Sequence, residues 1–264
     1  MTPPPRGFSA AEFQHRTGRA QQLMAVENLD ALLLTTAHEL RYFSGFLTRF
    51  WESPTRPWFL IVPASGKPIA VIPTIGADLM SKTWLDDIRT WSAPRPEDDG
   101  VFLLADTLRE VSGPQGRIGV PMGHETSLRM PLADFSRVRE AAPIEWVDAT
   151  AIMQTLNRVK SGAEIAKIAH ICAVAGRAFD HIAAIAGTGI PLDNVFRDFQ
   201  INLLREGADW VAYLAGGAGP GGYGDVISLP TDRPLQPGDV LMLDTGACHD
   251  GYFCDFDRNY AIGG

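Results

Sequence analysis

The chain has 264 residues, 45% of them hydrophobic, enough to bury more than one core, so two domains are expected. Its 23 lysines and arginines stand against 31 acidic residues, and the net charge of −8 repels phosphate backbones and anionic lipid, which argues against nucleic acid or a membrane as partner. Three cysteines, Cys172, Cys248 and Cys254, form no paired spacing and read as reduced thiols in a cytoplasmic protein; the opening MTPPPRGFSAAEF lacks the apolar core of a signal peptide, and no apolar run is long enough to span a bilayer.

Ser9 and Glu12 form a capping-box start for a first helix, whose apolar side holds Phe13, Leu23, Met24 and Val26. DALLLTT (30–36) suits a buried strand. WFLIVP (58–63) and PIAVIP (68–73) are strands split by a turn at SGK. Residues 74–88 read as a helix, followed by a short strand at RTW. A helix over 101–111, a strand at 117–120, a helix over 129–140 and a strand at 144–147 complete an alternation typical of an α/β layer architecture. This half ends near Asn157, giving expected domains of 1–157 and 158–264.

From Ser161 the texture changes. Ile165, Ile168, Cys172, Ala175, Phe179 and Ile182 recur at three- and four-residue steps, one apolar stripe on a long helix, with Cys172 in the core. Pro191 and Gly207 bracket a second helix. A glycine-rich passage and an acidic ribbon follow, so the second half reads as α+β.

Most candidate sites have plainer readings. AGGAGPGGYG (215–224) lacks the Lys-Ser/Thr tail of a phosphate-binding loop and reads as a mobile connection. His170 and His181 lie off the apolar stripe, about 16 Å apart along the helix, too far to share an ion, and read as solvated or interfacial. His15, His38 and His124 are isolated and read as structural. Asp86, Asp87 and the acidic residues at 97–99 read as solvated charge.

The terminal LMLDTGACHDGYFCDFDRNYAIGG (241–264) raises a sharper question, because acidic residues are poor strand formers. Pro237-Gly238-Asp239 is a turn, VLML a strand, and CHDG contains an Asp-Gly turn signal. A four-residue loop at 248–251 pairs Ala247 with Tyr252 and sets Asp244 directly across from Asp255. Asp257 then points to the same side, so three carboxylates converge. Like charges this close raise one another's pKa unless a cation neutralises them. Hard oxygen donors suit divalent metals, and two carboxylates can bridge ions about 3.5–4 Å apart. The other reading is a solvated edge hairpin with Arg258 as local partner.

The segment from Leu235 to Gly246, followed by Gly251-Tyr-Phe-Cys-Asp-Phe-Asp-Arg, resembles the creatinase/aminopeptidase P/methionine aminopeptidase family, the M24 peptidases. LNRVKSGAEIAKI (156–168) is similar to the entry into their pita-bread catalytic domain, and HELRYFSGF (38–46) to a signature of their creatinase-type N-terminal domain. The resemblance implies an α/β N-terminal domain before the first half of a pita-bread domain. It also implies two divalent metal ions (manganese, cobalt, zinc or iron) that activate a bridging water, with Asp244 bidentate to one ion and Asp255 bridging both. Substrates implied are Xaa-Pro dipeptides, N-terminal methionine or small C–N compounds such as creatine. Some relatives act as lyases on metabolites such as dimethylsulfoniopropionate. A cytoplasmic homodimer is implied by analogy.

Three departures qualify that expectation. The family's remaining ligands, a His and two Glu, follow this hairpin, whereas the sequence stops at Gly264, so it reads as the front of a longer enzyme, inactive or weak by itself. A substrate-contacting His of the family falls at Ile227. Asp257 stands where relatives commonly carry Thr, as an extra ligand or an acceptor for Arg258. A non-catalytic pita-bread binding or scaffold protein is the rival reading.

Overall fold

The computed structural model describes residues 2–53 and 56–263 and resolves into two compact units. One spans Gly7–Val159; the other joins the N-terminal segment ending at Arg6 to the chain from Lys160 onward.

The first unit runs α1 (Ala10–Val26), β1 (Ala31–Leu34), α2 (Ala37–Ser44), β2 (Phe59–Pro63), β3 (Ile69–Pro73), α3 (Ala77–Met80), β4 (Ile88–Trp91), α4 (Val101–Ser112), β5 (Arg117–Val120), α5 (Leu132–Ala141), β6 (Glu145–Asp148) and α6 (Thr150–Arg158). Its described strands make one mixed six-stranded sheet, ordered β4-β3-β2-β1-β5-β6. The all-apolar β1 lies inside it, antiparallel to β2 and parallel to β5. Alternate β1 side chains enter two cores, because successive residues of a strand point to opposite faces. Leu32 and Leu34 join Met24, Leu40, Phe43 and Leu156 on one side, while Ala31 and Leu33 join Leu104, Leu108 and Val138 on the other. Burial on both faces explains why this strand reads as a continuous apolar run.

Residues 74–88, expected as a helix, form only a 3-10 turn (Thr74–Gly76) and the single turn α3. The Thr83 hydroxyl donates to the Met80 carbonyl at 2.7 Å and ends the helix, and the Trp84 indole donates to the Phe43 carbonyl at 2.6 Å. The helix expected over 129–140 begins at Leu132, after Pro131.

The second unit contains α7 (Gly162–Asp180), α8 (Ile182–Ile185), α9 (Leu192–Arg205), β7 (Trp210–Pro220), β8 (Asp239–His249), β9 (Tyr252–Phe253) and β10 (Phe256–Ala261). Ser161 and Glu164 form a reciprocal capping box that starts α7. The sheet is antiparallel, ordered β10-β8-β7 with β9 also on β8. Leu241, Leu243 and Ala247 of β8 face the helices, packing with Ile171, Val174, Phe196 and Phe199. Asp244 therefore points away from them.

One expectation fails here and another holds only in part, both for physical reasons. The passage 215–224 is no free loop: its residues to Pro220 extend β7 and pair with β8. Glycine is required there, since Gly216 has φ +150° and a Cβ on it would stand 2.2 Å from the Met242 carbonyl oxygen. The apolar stripe expected along α7 holds in part: Ala175, Phe179 and Ile182 are buried in the core, but in the first half of the helix the buried side is rotated away from it. Ile165 is 56% exposed, whereas Glu164, Lys167 and His170 are buried beside Ile171 and Val174. His170 is thus interior, its ring 4.5 Å from that of His249. His181 does lie outside, at the end of α7, 3.5 Å from Glu206. Cys172 is half-buried at the margin of the core.

Candidate metal centre

The turn joining β8 to β9 sets the site. Asp250 and Gly251 both have positive φ, 48° and 69°, the conformation of a two-residue hairpin turn that Asp-Gly favours. His249 consequently pairs with Tyr252, and the same offset continues through Phe256 opposite Thr245 and Asp257 opposite Asp244. The four-residue loop and the Asp244/Asp255 pairing expected from the sequence are corrected by two residues. Asp255 instead falls opposite Gly246, between the Cys254–Ala247 hydrogen bond and the Phe256–Thr245 pair.

A shift of two residues leaves each side chain on its original face, so the three carboxylates still share one side of the sheet. On the far side of β8, Tyr213 pairs with Gly246, producing a row Tyr213–Gly246–Asp255 across three strands. Gly246 makes that row possible: a Cβ there would stand 2.1 Å from the Tyr213 ring. Lying over the glycine, Tyr213 donates its hydroxyl to Asp255 Oδ1 at 2.5 Å and comes within 3.4 Å of Asp244 Oδ1. Sequence reasoning missed Tyr213, because its place over Gly246 is set by pairing between strands.

The electrostatics follow from this crowding. Asp244 is pushed above the usual carboxylate range, first by burial and then by the charges of Asp255 and Asp257, against the opposing hydrogen bond from Tyr213. The Tyr213 phenol is raised as well, by burial and by both carboxylates, and stays protonated as a donor. Arg258 does not neutralise the cluster. Its neighbouring position in β10 sends it to the opposite face, where it lies over Phe256 and donates to the Asp257 main-chain carbonyl. Ile227 sits in the loop after β7, 89% exposed.

The donor chemistry suits a hard divalent cation: carboxylate oxygens on one face, like charges with no ion-pair partner among the described residues, and a fixed phenol beside them. Among the described residues no three His, Cys, Asp or Glu side chains are gathered for a metal ion.

Residues 16–159 match the creatinase/prolidase N-terminal domain, and residues 166–264 match metallopeptidase family M24. The chain belongs to the M24 metallopeptidase family. This M24 member has the family's creatinase-like N-terminal domain and pita-bread C-terminal domain, and the family's metallopeptidases use divalent metals. A probable dipeptidase PepE of Mycobacterium tuberculosis is 26% identical over 98% of the chain, and a creatinase of a Bacillus species is 27% identical over 95%. The chain spans 66% and 60% of the lengths of those two proteins. The crystal structure of dipeptidase PepE from Mycobacterium ulcerans superposes with a TM-score of 0.77 at 26% identity, covering 98% of this chain and 67% of that one. A prolidase from Thermococcus sibiricus superposes at 0.81 with 19% identity, covering 97% and 67%, and shows the fold alone. Among the described residues no helix is long and apolar enough to cross a membrane.

Proposed function

We propose that this chain carries part of the active site of a metal-dependent hydrolase of the Xaa-Pro dipeptidase type, with Asp244 and Asp255 as ligands of a two-metal centre and Asp257 as a further carboxylate beside them. The observation that supports this reading is the convergence of Asp244, Asp255 and Tyr213 on the sheet face away from the helices, in a chain related along its length to a probable dipeptidase. Divalent ions, when bound, supply Lewis acidity and a water that ionises near neutral pH.

The chain's own side chains do the positioning. Asp244, half-buried on the central strand, and Asp255, exposed in the link between β9 and β10, provide oxygens of unequal exposure. Tyr213 holds Asp255 by donating to one oxygen, which limits its rotamers before any ligand arrives. Because the phenol remains protonated, that restraint persists through the neutral range. The exposed hydrocarbon of Ile227, at the position where the resemblance expects a substrate-contacting His, offers no hydrogen bond, which favours a small C–N substrate over an Xaa-Pro dipeptide.

Calorimetric titration of Mn²⁺ into the protein, with Asp244→Asn and Asp255→Asn alongside, tests the reading, followed by assays on Xaa-Pro dipeptides and small amides. Loss of cation uptake in both variants is expected; equal uptake in all three proteins rejects it. A second reading, a non-catalytic pita-bread binding protein, draws on the open ligand set and on Ile227. It predicts neither cation uptake nor hydrolysis.

A further inference from the structure

The pairing of β8 with β10 has a near-degenerate alternative. A one-residue slip would turn every side chain to the wrong face, but a two-residue slip preserves the faces. Leu241 and Leu243 would still meet the helices, and Asp244 would still point away, now across from Asp255. Hydrophobic patterning therefore cannot choose between these registers; the Asp-Gly preference for a two-residue turn, and whatever anchors that turn, must.

The buried side of α7 provides one. Asp250 is 6% exposed although it occupies a hairpin turn. Its carboxylate lies 2.7 Å from Lys167 Nζ, and its amide donates to Asp209 Oδ2 at 2.7 Å. The Lys167 side chain, 2% exposed, also donates to the Pro5 carbonyl, and Arg6 pairs with Asp209 from the same segment. One turn earlier on α7, Glu164 accepts a hydrogen bond from the Tyr252 hydroxyl at 2.9 Å. One turn later, His170 packs edge-on against His249. Residues 164, 167 and 170, three apart on one helix face, thus meet 252, 250 and 249 in order.

We infer that Lys167 and Asp250 are a positioning pair that locks the register of the acidic ribbon. In the slipped register, residues 248–251 become a four-residue loop and Asp250 leaves Lys167. The buried ammonium then loses its carboxylate, and an interior charge stripped of its partner is strongly destabilising. The lock holds the two-residue Asp-Gly turn in place, and with it the register that sets Asp257 rather than Asp255 opposite Asp244. Its bearing on catalysis rests on the hydrolase reading, whereas the register is measurable without any metal.

Cysteine pairs in the full chain read the register directly. Met242→Cys with Asn259→Cys reports the observed pairing, and Val240→Cys with Asn259→Cys the slipped one. Directly opposed Cβ atoms are about 4.5–5.5 Å apart, near disulfide range, while diagonal neighbours at about 7–8 Å are outside it. Each pair is oxidised with and without Lys167→Met/Asp250→Asn, which removes both charges together and keeps a residue tolerant of positive φ at 250. The 240–259 cross-link is expected to rise by about tenfold in the neutral variant. The opposite diagonal, Met242→Cys with Ala261→Cys, is expected to stay at its low level. An unchanged 240–259 yield overturns the lock, and so does an equal rise of both diagonals, which signals general loosening. Should the neutral variant fail to fold, Tyr252→Phe must raise the 240–259 yield and Lys167→Arg must leave it low; any other pattern overturns the proposal.

Discussion

Asp244 and Asp257 stand directly opposite each other in β8 and β10. The flanking bonds, Cys254 N–H to Ala247 and Ile262 N–H to Asp239, make theirs a non-hydrogen-bonded pair, the type in which side chains approach most closely. Two acidic groups so placed repel, and that repulsion contributes to holding Asp244 above the usual carboxylate range. With cations removed by chelation, Asp257→Asn is expected to stabilise the protein at pH 7 by roughly 0.2–1 kcal/mol, the size of an adverse cross-strand charge pair. Chemical denaturation measures it. A loss of stability would show that the two carboxylates do not oppose each other.

Gly246 is the platform on which Tyr213 crosses the sheet. An added Cβ would lie 2.1 Å from the ring, and the flanking residues are locked in two ladders, so the ring must move. Gly246→Ala is expected to cost about 1–3 kcal/mol, as overpacked sites do. It also frees Asp255 from its hydrogen bond. Tyr213→Phe removes that bond without the steric change, so it should alter Mn²⁺ affinity while costing far less stability. Equal stability losses in the two variants would contradict this separation.

The rotation of α7 is testable by a matched pair. Ile171 is 0% exposed within the core of the second unit, and Ile165 is largely in solvent. Ile171→Ala should cost about 2–5 kcal/mol, a large-to-small change in a packed interior. Ile165→Ala should stay within about 0.5 kcal/mol, the usual range for a surface site. Similar thermal shifts for both would restore the apolar stripe as the packing face.

These contrasts show what was legible beforehand. β1 declared itself because both of its faces are buried and every residue is apolar, and the α7 start was marked by Ser161 and Glu164. The acidic ribbon was recognisable from Asp244, Asp255 and Asp257 because side-chain parity survives a two-residue error. Its register was misread although Asp250-Gly251 favours a two-residue turn, and the contact that holds that turn, Lys167 to Asp250, joins residues distant in sequence. The same cause hid the inner face of α7: Glu164 and Lys167 look like surface residues until Tyr252 and Asp250 are placed against them. Tyr213 escaped because its role needs Gly246 beneath it, a relation between strands that no local pattern carries.

Entry into β8 depends on a pair whose strength changes with pH. Asp239 is buried, and its carboxylate receives both Arg233 amino groups at 2.9 Å and the Gln236 amide at 2.8 Å. The Arg233 hydrogen bonds, the largest influence, hold the Asp239 carboxyl below its usual range despite the burial that opposes them. A depressed folded-state pKa means that the native state favours the ionised form. Its stabilising effect is complete above the unfolded value of about 4 and disappears as pH falls through the lower folded value. Arg233 is 39% exposed, so salt should screen part of the effect. Asp239→Asn is therefore expected to be less stable than the parent by a constant margin above about pH 5, with the gap narrowing progressively below about pH 4. Urea denaturation of both proteins from pH 3 to pH 7 measures that gap. A margin that stayed level to pH 3, or grew on acidification, would mean that Asp239 is not held ionised by Arg233 in the folded chain.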